Sequence, residues 1–188
     1  MTDSAPTSPR APSSASALPI RAIATDAEAR ACAEIMATNE PWVTIGRTLE
    51  ESYRILRDPV REVYVAVEAD DRGEPRVVGF IVLVMQGAFV GYIRSVAVRD
   101  DRRGLGVGSA LIAFAERRIF RDQPNVFICA SSFNPGARRL YERLGYRAVG
   151  ELTDFMVRGH SELLFRKTIG PLAEHVARSD DGESPRPS

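Results

Sequence analysis

One stretch constrains this chain more than any other: Arg103-Gly104-Leu105-Gly106-Val107-Gly108-Ser109-Ala110-Leu111. It follows an alternating apolar run, Gly91 to Val98, and precedes a helical run, Ser109 to Arg121. A strand therefore feeds a tight glycine turn, and the turn feeds a helix. Glycine at every second position lets the backbone adopt positive φ. It also clears side chains away from the amide N–H groups. Those groups, with the positive end of the following helix, form a ready anion site. The chain is expected to be α/β and to hold a phosphate or pyrophosphate at this turn.

The surroundings of the turn narrow the choice. Glu62 to Glu68 alternates, with Val63, Val65 and Val67 on one side, and reads as a strand. Asp70-Asp71-Arg72-Gly73-Glu74-Pro75 reads as a hairpin turn. Arg76 to Met85 and Ala88 to Val98 read as two further strands, so an antiparallel meander leads into the glycines. A dinucleotide fingerprint would instead be GxGxxG at the start of a βαβ unit, with an acid about twenty residues on. A P-loop would place a lysine after the last glycine, and none stands there. A kinase-type loop would lie within a hairpin rather than before a helix.

Upstream, Pro19 to Ala24 reads as a strand. Thr25 and Glu28 then make a capping box for a helix to about Thr38. A second helix begins near Thr44 or Thr48 and stops at Asp58-Pro59. Downstream, the short apolar run Val126 to Ala130 suits a strand in the middle of a sheet, parallel to the one before the glycines. Asn134-Pro135 opens another helix, as N-cap and first-turn proline, and Gly145 closes it. Tyr146 to Val157 and Glu162 to Lys167 read as the last strands, joined around Arg158-Gly159-His160. The folded domain is expected over residues 18–176. The Ala/Ser/Pro-rich residues 1–17 and the polar residues 177–188 are expected to be disordered tails, because neither holds enough apolar surface to offset its ordering entropy.

The second informative stretch is Asn134-Pro135-Gly136-Ala137-Arg138-Arg139-Leu140-Tyr141-Glu142-Arg143-Leu144-Gly145-Tyr146. Together the two stretches resemble the signature of the GNAT acyltransferase superfamily, which moves an acyl group from acyl-coenzyme A to an amine. The glycine motif of that family matches Arg103, Gly106 and Gly108. Its second motif matches Asn134, Ala137, Leu140, Tyr141, Gly145 and Tyr146. The resemblance covers roughly Leu18 to Thr168. It implies a mixed, mostly antiparallel central sheet with a V-shaped splay, flanked by helices.

The resemblance also implies roles. Acetyl-CoA would be the acyl donor, with its pyrophosphate on the backbone of Arg103, Gly104, Leu105, Gly106, Val107, Gly108 and Ser109. Its pantetheine arm would pair with Val96, Ala97 and Val98, and the Val98 N–H would polarise the thioester carbonyl. Asn134 would contact the arm or a water beside it, and Tyr141 would protonate the departing thiolate as general acid. Apart from the resemblance, the basic fringe of Arg102, Arg103, Arg117, Arg118, Arg138 and Arg139 reads either as helix-surface charge or, at Arg103 and Arg138, as contacts to the phosphates of coenzyme A. The amine would attack directly, with no acyl-enzyme. The acceptor pocket would be lined by Glu40, Trp42, Tyr53, Asp154 and Phe155. The acceptor stays open among a small amine, a peptide N-terminus and a lysine side chain.

Some family members carry a basic glutamate on the strand before the Asn motif. Here counting back from Asn134 gives Cys129, and no acid occupies Val126 to Phe133. Glu40, Glu151 and Asp154 are the candidate bases. Cys129, between Ile128 and Ala130, reads as a buried core thiol. Without a base, a non-catalytic acyl-CoA sensor is the alternative to an enzyme.

Composition closes off other classes. Twenty-five basic and twenty-five acidic residues balance, so no field points to nucleic acid or to a membrane. Two cysteines without a CxxC or a histidine cluster suggest no metal and no disulfide framework. A cytoplasmic protein, monomer or homodimer, is the expectation.

Overall fold

The computed structural model describes residues 18–87 and 90–175. Both expected tails, and Ala88 at the expected start of the third meander strand, lie outside the described residues. The chain runs β1 (Ile20–Ala22), α1 (Asp26–Ala37), α2 (Leu49–Leu56), β2 (Arg61–Ala69), β3 (Pro75–Val84) and β4 (Tyr92–Val98). A single 3-10 turn, Asp100–Arg102, leads to α3 (Val107–Ile119). Then come β5 (Asn125–Ser131), α4 (Pro135–Arg143), β6 (Arg147–Thr153) and β7 (Ser161–Thr168). One seven-stranded sheet results, in the order β1-β2-β3-β4-β5-β7-β6.

Local chemistry sets the boundaries. Thr25 and Glu28 form the expected capping box on α1. Of the two possible starts for α2, the chain uses Thr48, whose hydroxyl accepts from Glu51 N–H while Glu51 reaches back to Thr48. In the β2–β3 hairpin the Asp70 carboxylate accepts from Arg72 N–H at 2.8 Å and Glu74 N–H at 2.9 Å. β6 ends at Thr153, four residues earlier than the alternation suggests. Asp154 takes a left-handed φ of 52° and its carboxylate accepts from Gly159 N–H, so the chain turns where the pattern still reads as strand.

The sheet separates two cores, set by strand alternation and by a β-bulge opposite Ala66 and Val67 that puts Val78 on the face away from Phe80 and Val82. Val63, Val65, Phe80 and Val82 pack on one face against Ala29, Cys32, Ala33 and Met36 of α1. Val78, Ile81, Leu83 and Ile128 pack on the other against Leu111, Ile112, Ala115 and Ile119 of α3. Each fully buried Val, Leu, Ile, Phe or Met among them contributes roughly 1.5–3 kcal/mol.

The feature that positions the site is the meeting of β4 and β5. They are parallel, as expected, but pair only at Tyr92↔Phe127 and Ile93↔Ile128. Beyond Ile93 the two strands have no pairing, while β4 stays paired to β3 as far as Gly79↔Val98. Arg99 N–H donates to Val78 O at 2.9 Å, on the β3 side. By strand alternation the Val98 N–H therefore points to the opposite, open edge. This is the expected splay. β7 then inserts between β5 and β6 and sets Ser131 opposite Glu162.

Candidate active site

A cavity of about 650 Å³ fills the splay. The end near the glycine turn is formed by Val96 on β4, Asn134 at the start of α4, and Ala137 and Tyr141 on α4. Its other end is formed by Glu40, Trp42 and Arg47 between α1 and α2, and by Phe155 and Met156 after β6. Tyr92 and Arg94 of β4, Cys129 and Ser131 of β5, and Glu162 of β7 make its floor and walls.

The glycine turn has the form expected of an anion cradle. Gly104 and Gly106 have φ of 76° and 86°. Gly106 is the N-cap of α3 and no side chain caps that helix, whose first turn also carries no acid. A Cβ on either glycine would have no heavy atom within 4 Å, so the space in front of the turn is open. Gly108 faces Val98 and Leu140, which lie 3.6 and 3.8 Å from where its Cβ would be. The N–H groups of Val107, Gly108 and Ser109 belong to the first turn, where an α-helix leaves its amides unsatisfied. Leu105 is exposed at the tip of the turn.

Each remaining residue picked from sequence has a definite place. Val96 lines the cavity, but the Ala97 side chain is buried in the core against α1 and by the same alternation its N–H and C=O face β3, so Ala97, expected on the pantetheine arm, presents no hydrogen-bonding group to the cleft. Asn134 uses its Oδ1 to accept from Ala137 N–H at 3.1 Å, which orients it at the cavity wall. Tyr141 is 5% exposed, packs edge-on to Phe165 at 5.8 Å, and lines the cavity. Burial, then the nearby Cys129 and Glu162, push its phenol above the usual range and keep it protonated. Arg103 turns back to Asp100 at 2.8 Å and donates to Asn39 at the end of α1. Arg138 pairs along its own helix with Glu142 at 2.9 Å.

Glu40, Trp42 and Phe155 all line this cavity. Tyr53 and Asp154 do not. The Tyr53 hydroxyl donates to Asp26 and its ring carries the Arg30 guanidinium at 4.8 Å, so it ties α2 to α1 on the outer surface. Asp154 is consumed in its own turn. Cys129 also departs from the sequence reading. It is half-buried rather than sealed in the core, because this end of β5 borders the splay: Cys129 and Ser131 line the cavity, as do Ile128 and Ala130, which also pack in the core with α3.

The residue missed from sequence is Glu162. It is 6% exposed, lines the cavity, and accepts a hydrogen bond from the Ser131 hydroxyl on the neighbouring strand. Among the described residues it has no cationic partner. Burial holds its carboxyl above the usual carboxylate range, and the Ser131 hydroxyl pulls the other way. Its neighbours across the cavity are the neutral, titratable Cys129, Tyr92 and Tyr141. Among the described residues no group of His, Cys, Asp and Glu is placed to hold a metal ion. No described helix is long and apolar enough to cross a membrane.

A mixed sheet that opens at one parallel strand pair, with an uncapped glycine turn at one end and a lined cavity at the other, defines a protein with a two-ended cleft. The chain belongs to the GNAT family of acetyltransferases, whose family model matches residues 23–146. An uncharacterized N-acetyltransferase of Methanocaldococcus jannaschii is 36% identical over 94 residues, a match covering 49% of this chain and 60% of that protein. A GNAT-family protein of Desulfovibrio desulfuricans has the same fold, with a TM-score of 0.67 at 19% identity, over 82% of this chain and all of that one. So do an aminoglycoside 6'-N-acetyltransferase complexed with coenzyme A, with a TM-score of 0.65 at 20% identity over 82% of this chain and 98% of that one, and NAA60 of Arabidopsis thaliana in complex with acetyl-CoA, with a TM-score of 0.66 at 20% identity over 81% and 98%.

Proposed function

We propose that this chain is an N-acetyltransferase that moves the acetyl group of acetyl-CoA to an amine by direct attack in a ternary complex. The observation that carries the reading is a buried phenol and a buried carboxylate facing one cavity, Tyr141 and Glu162, beside the open edge of β4. Coenzyme A fits the residues present, since the uncapped α3 terminus suits its pyrophosphate and the backbone groups of Val96 and Val98 that face away from β3 suit its amide-bearing arm. Its thioester supplies an activated acetyl carbon. The open-edge Val98 N–H donates to the carbonyl oxygen on which charge develops.

The amine arrives as an ammonium ion, and Glu162 takes its proton. The nitrogen lone pair then forms the C–N bond as the C–S bond breaks, Tyr141 hands its proton to the departing sulfur, and the acylated nitrogen sheds its second proton to solvent. Glu162 then releases the ammonium's proton to solvent, and Tyr141 recovers a proton from solvent. A carboxylate with a raised pKa is a better base than an ordinary one, and burial without a cation leaves it ready to receive an ammonium.

Tyr141→Phe is expected to lower turnover by about 10- to 100-fold, somewhat less than a full acid–base loss. Acetyl-CoA affinity, measured by calorimetry, should stay within about twofold by the same argument, because the ring contacts remain. Turnover followed by free-thiol release across an amine panel is the test, and unchanged turnover would remove Tyr141 from the reaction. Acetyl-CoA binding with no amine-dependent thiol from the unaltered protein would mark a sensor instead. Gly106→Val should weaken acetyl-CoA at least tenfold, because φ of 86° strains a β-branched residue at the turn whose amides hold the pyrophosphate. Full-strength binding by that variant would move the phosphate site elsewhere.

A further inference from the structure

Resting on the acetyl-transfer reading, we infer that the amine acceptor also carries an anion, in the manner of an amino acid: Arg47 and Arg94 take its carboxylate while Glu162 receives its ammonium.

The cavity wall holds four formally charged side chains, Glu40, Arg47, Arg94 and Glu162. The two negative ones are not equivalent. Glu40 is turned to its own loop, where its carboxylate accepts from Thr44 N–H at 3.3 Å. Glu162 faces the cavity beside Ser131. The two positive ones lie together at the acceptor end. Arg94 follows Ile93, the last residue of β4 paired to β5, so it stands at the apex of the splay. Arg47 comes from the loop before α2, and a third guanidinium, Arg61 at the start of β2, stands beside them.

Arg61 has its own anion, Asp58, at 3.1 Å. Among the described residues neither Arg47 nor Arg94 forms an ion pair, and the only carboxylate acting on Arg47 is the more distant Glu51. Burial, then the charge of Arg94, lowers the pKa of Arg47, and Arg61 is lowered for the same reasons. Arg47 is part-buried while Arg94 is exposed at the cavity wall, so it is the part-buried charge without a counter-ion that costs free energy, and an incoming anion recovers it. The planar guanidinium fork also matches a carboxylate in two parallel hydrogen bonds. A polycationic amine would meet the opposite field.

Scale favours a small molecule. β4 and β7 are separated by β5 and by the gap that opens beyond Ile93, and the Arg94 side chain lines that gap. Arg94 and Glu162 both lie close enough to act on the Tyr92 phenol between them, so one small molecule can carry both the anion and the ammonium. The aromatic and thioether groups of Trp42, Phe155 and Met156 at the same end leave room for an apolar side chain on the acceptor.

The test uses the full chain, acetyl-CoA and matched acceptor pairs: amino acids against their carboxamides, with aminophosphonates, polyamines and acidic N-terminal peptides as further arms. The expected result is kcat/KM at least tenfold higher for the acids than for their amides. Arg47→Gln and Arg94→Gln should each raise KM for the acid about tenfold while acetyl-CoA affinity, which reports folding, holds. Preference for aminophosphonates, with the same arginine dependence, would make the anion a phosphonate. Preference for acidic peptides would make it a peptide side chain and overturn the small-molecule assignment. Equal use of acids and amides, or faster use of polyamines, overturns the anion site and leaves acetyl transfer standing. If no acceptor releases thiol, calorimetry of amino acids in the presence of coenzyme A decides separately. Arginine-dependent binding there supports the anion site while acetyl transfer falls, and its absence ends both.

Discussion

Replacing Glu162 by Gln is expected to lower kcat by about 10²- to 10⁴-fold near neutral pH, the usual size of a lost general base. Gln keeps the volume and still accepts from Ser131, so the change isolates the proton. With Glu162 present, kcat should rise with pH through a limb set by a carboxyl held above the ordinary range by burial. Without it, only acceptor molecules already deprotonated in solution react, so activity should climb steadily toward the amine's own pKa. Stability supplies the control. A carboxyl whose folded pKa is raised destabilises the folded state as pH climbs from its unfolded value, about 4.3, through its folded one. Glu162→Gln lacks that loss, so at neutral pH its thermal midpoint should equal or exceed that of the unaltered chain. A variant with near-normal kcat and an unmoved pH profile would take the proton away from Glu162.

Gly91→Ala should cost about 3–5 kcal/mol of stability, and lower the melting temperature on the order of 10 °C. Gly91 stands at the head of β4 with φ of 79°, where an L side chain is strained. An added Cβ would lie 2.5 Å from Asn125 O and 2.7 Å from Ile119 Cγ2. The backbone has no slack to give, because Gly91 N–H donates to Val84 O at 3.2 Å and Gly91 O accepts from Phe127 N–H at 3.0 Å. Gly159→Ala is the comparison: φ is 81° but nothing lies within 4 Å of its Cβ. It should cost only the conformational part, about 1–2 kcal/mol. Equal losses at the two positions, in thermal or urea melts, would show that the contact at the β4–β5 junction carries no weight.

The sequence made legible what local chemistry encodes. Thr25 with Glu28, Asn134 with Pro135, and the alternating valines of β2 each satisfy a short-range rule, and each element formed as read. The glycine turn and the Asn134-to-Tyr146 stretch carried the family for the same reason, since their spacing reflects backbone geometry. Glu162 was not legible. It sits at the start of a strand after a polar hairpin, a setting in which acids are ordinarily solvated. Only the strand order, which slots β7 between β5 and β6, turns it inward against Ser131. Tyr53 failed in the reverse direction, as an aromatic near the right loop whose helix phase points it at Asp26. Cys129 failed because a short apolar run conceals which of its faces meets the cleft. Each of these depends on contacts far apart in sequence, and no local pattern records them.

The splay at Ile93 has one more consequence. A strand with unpaired amides is normally a hazard, since any other extended chain can dock along it. Here the bare edge of β4 is not at the margin of the sheet but inside it, walled by β3 behind and by β5 and β7 across the gap. Another sheet has no route in, while a single thread of amide groups does. The protein thus keeps a sticky backbone permanently available and screens what reaches it by width alone.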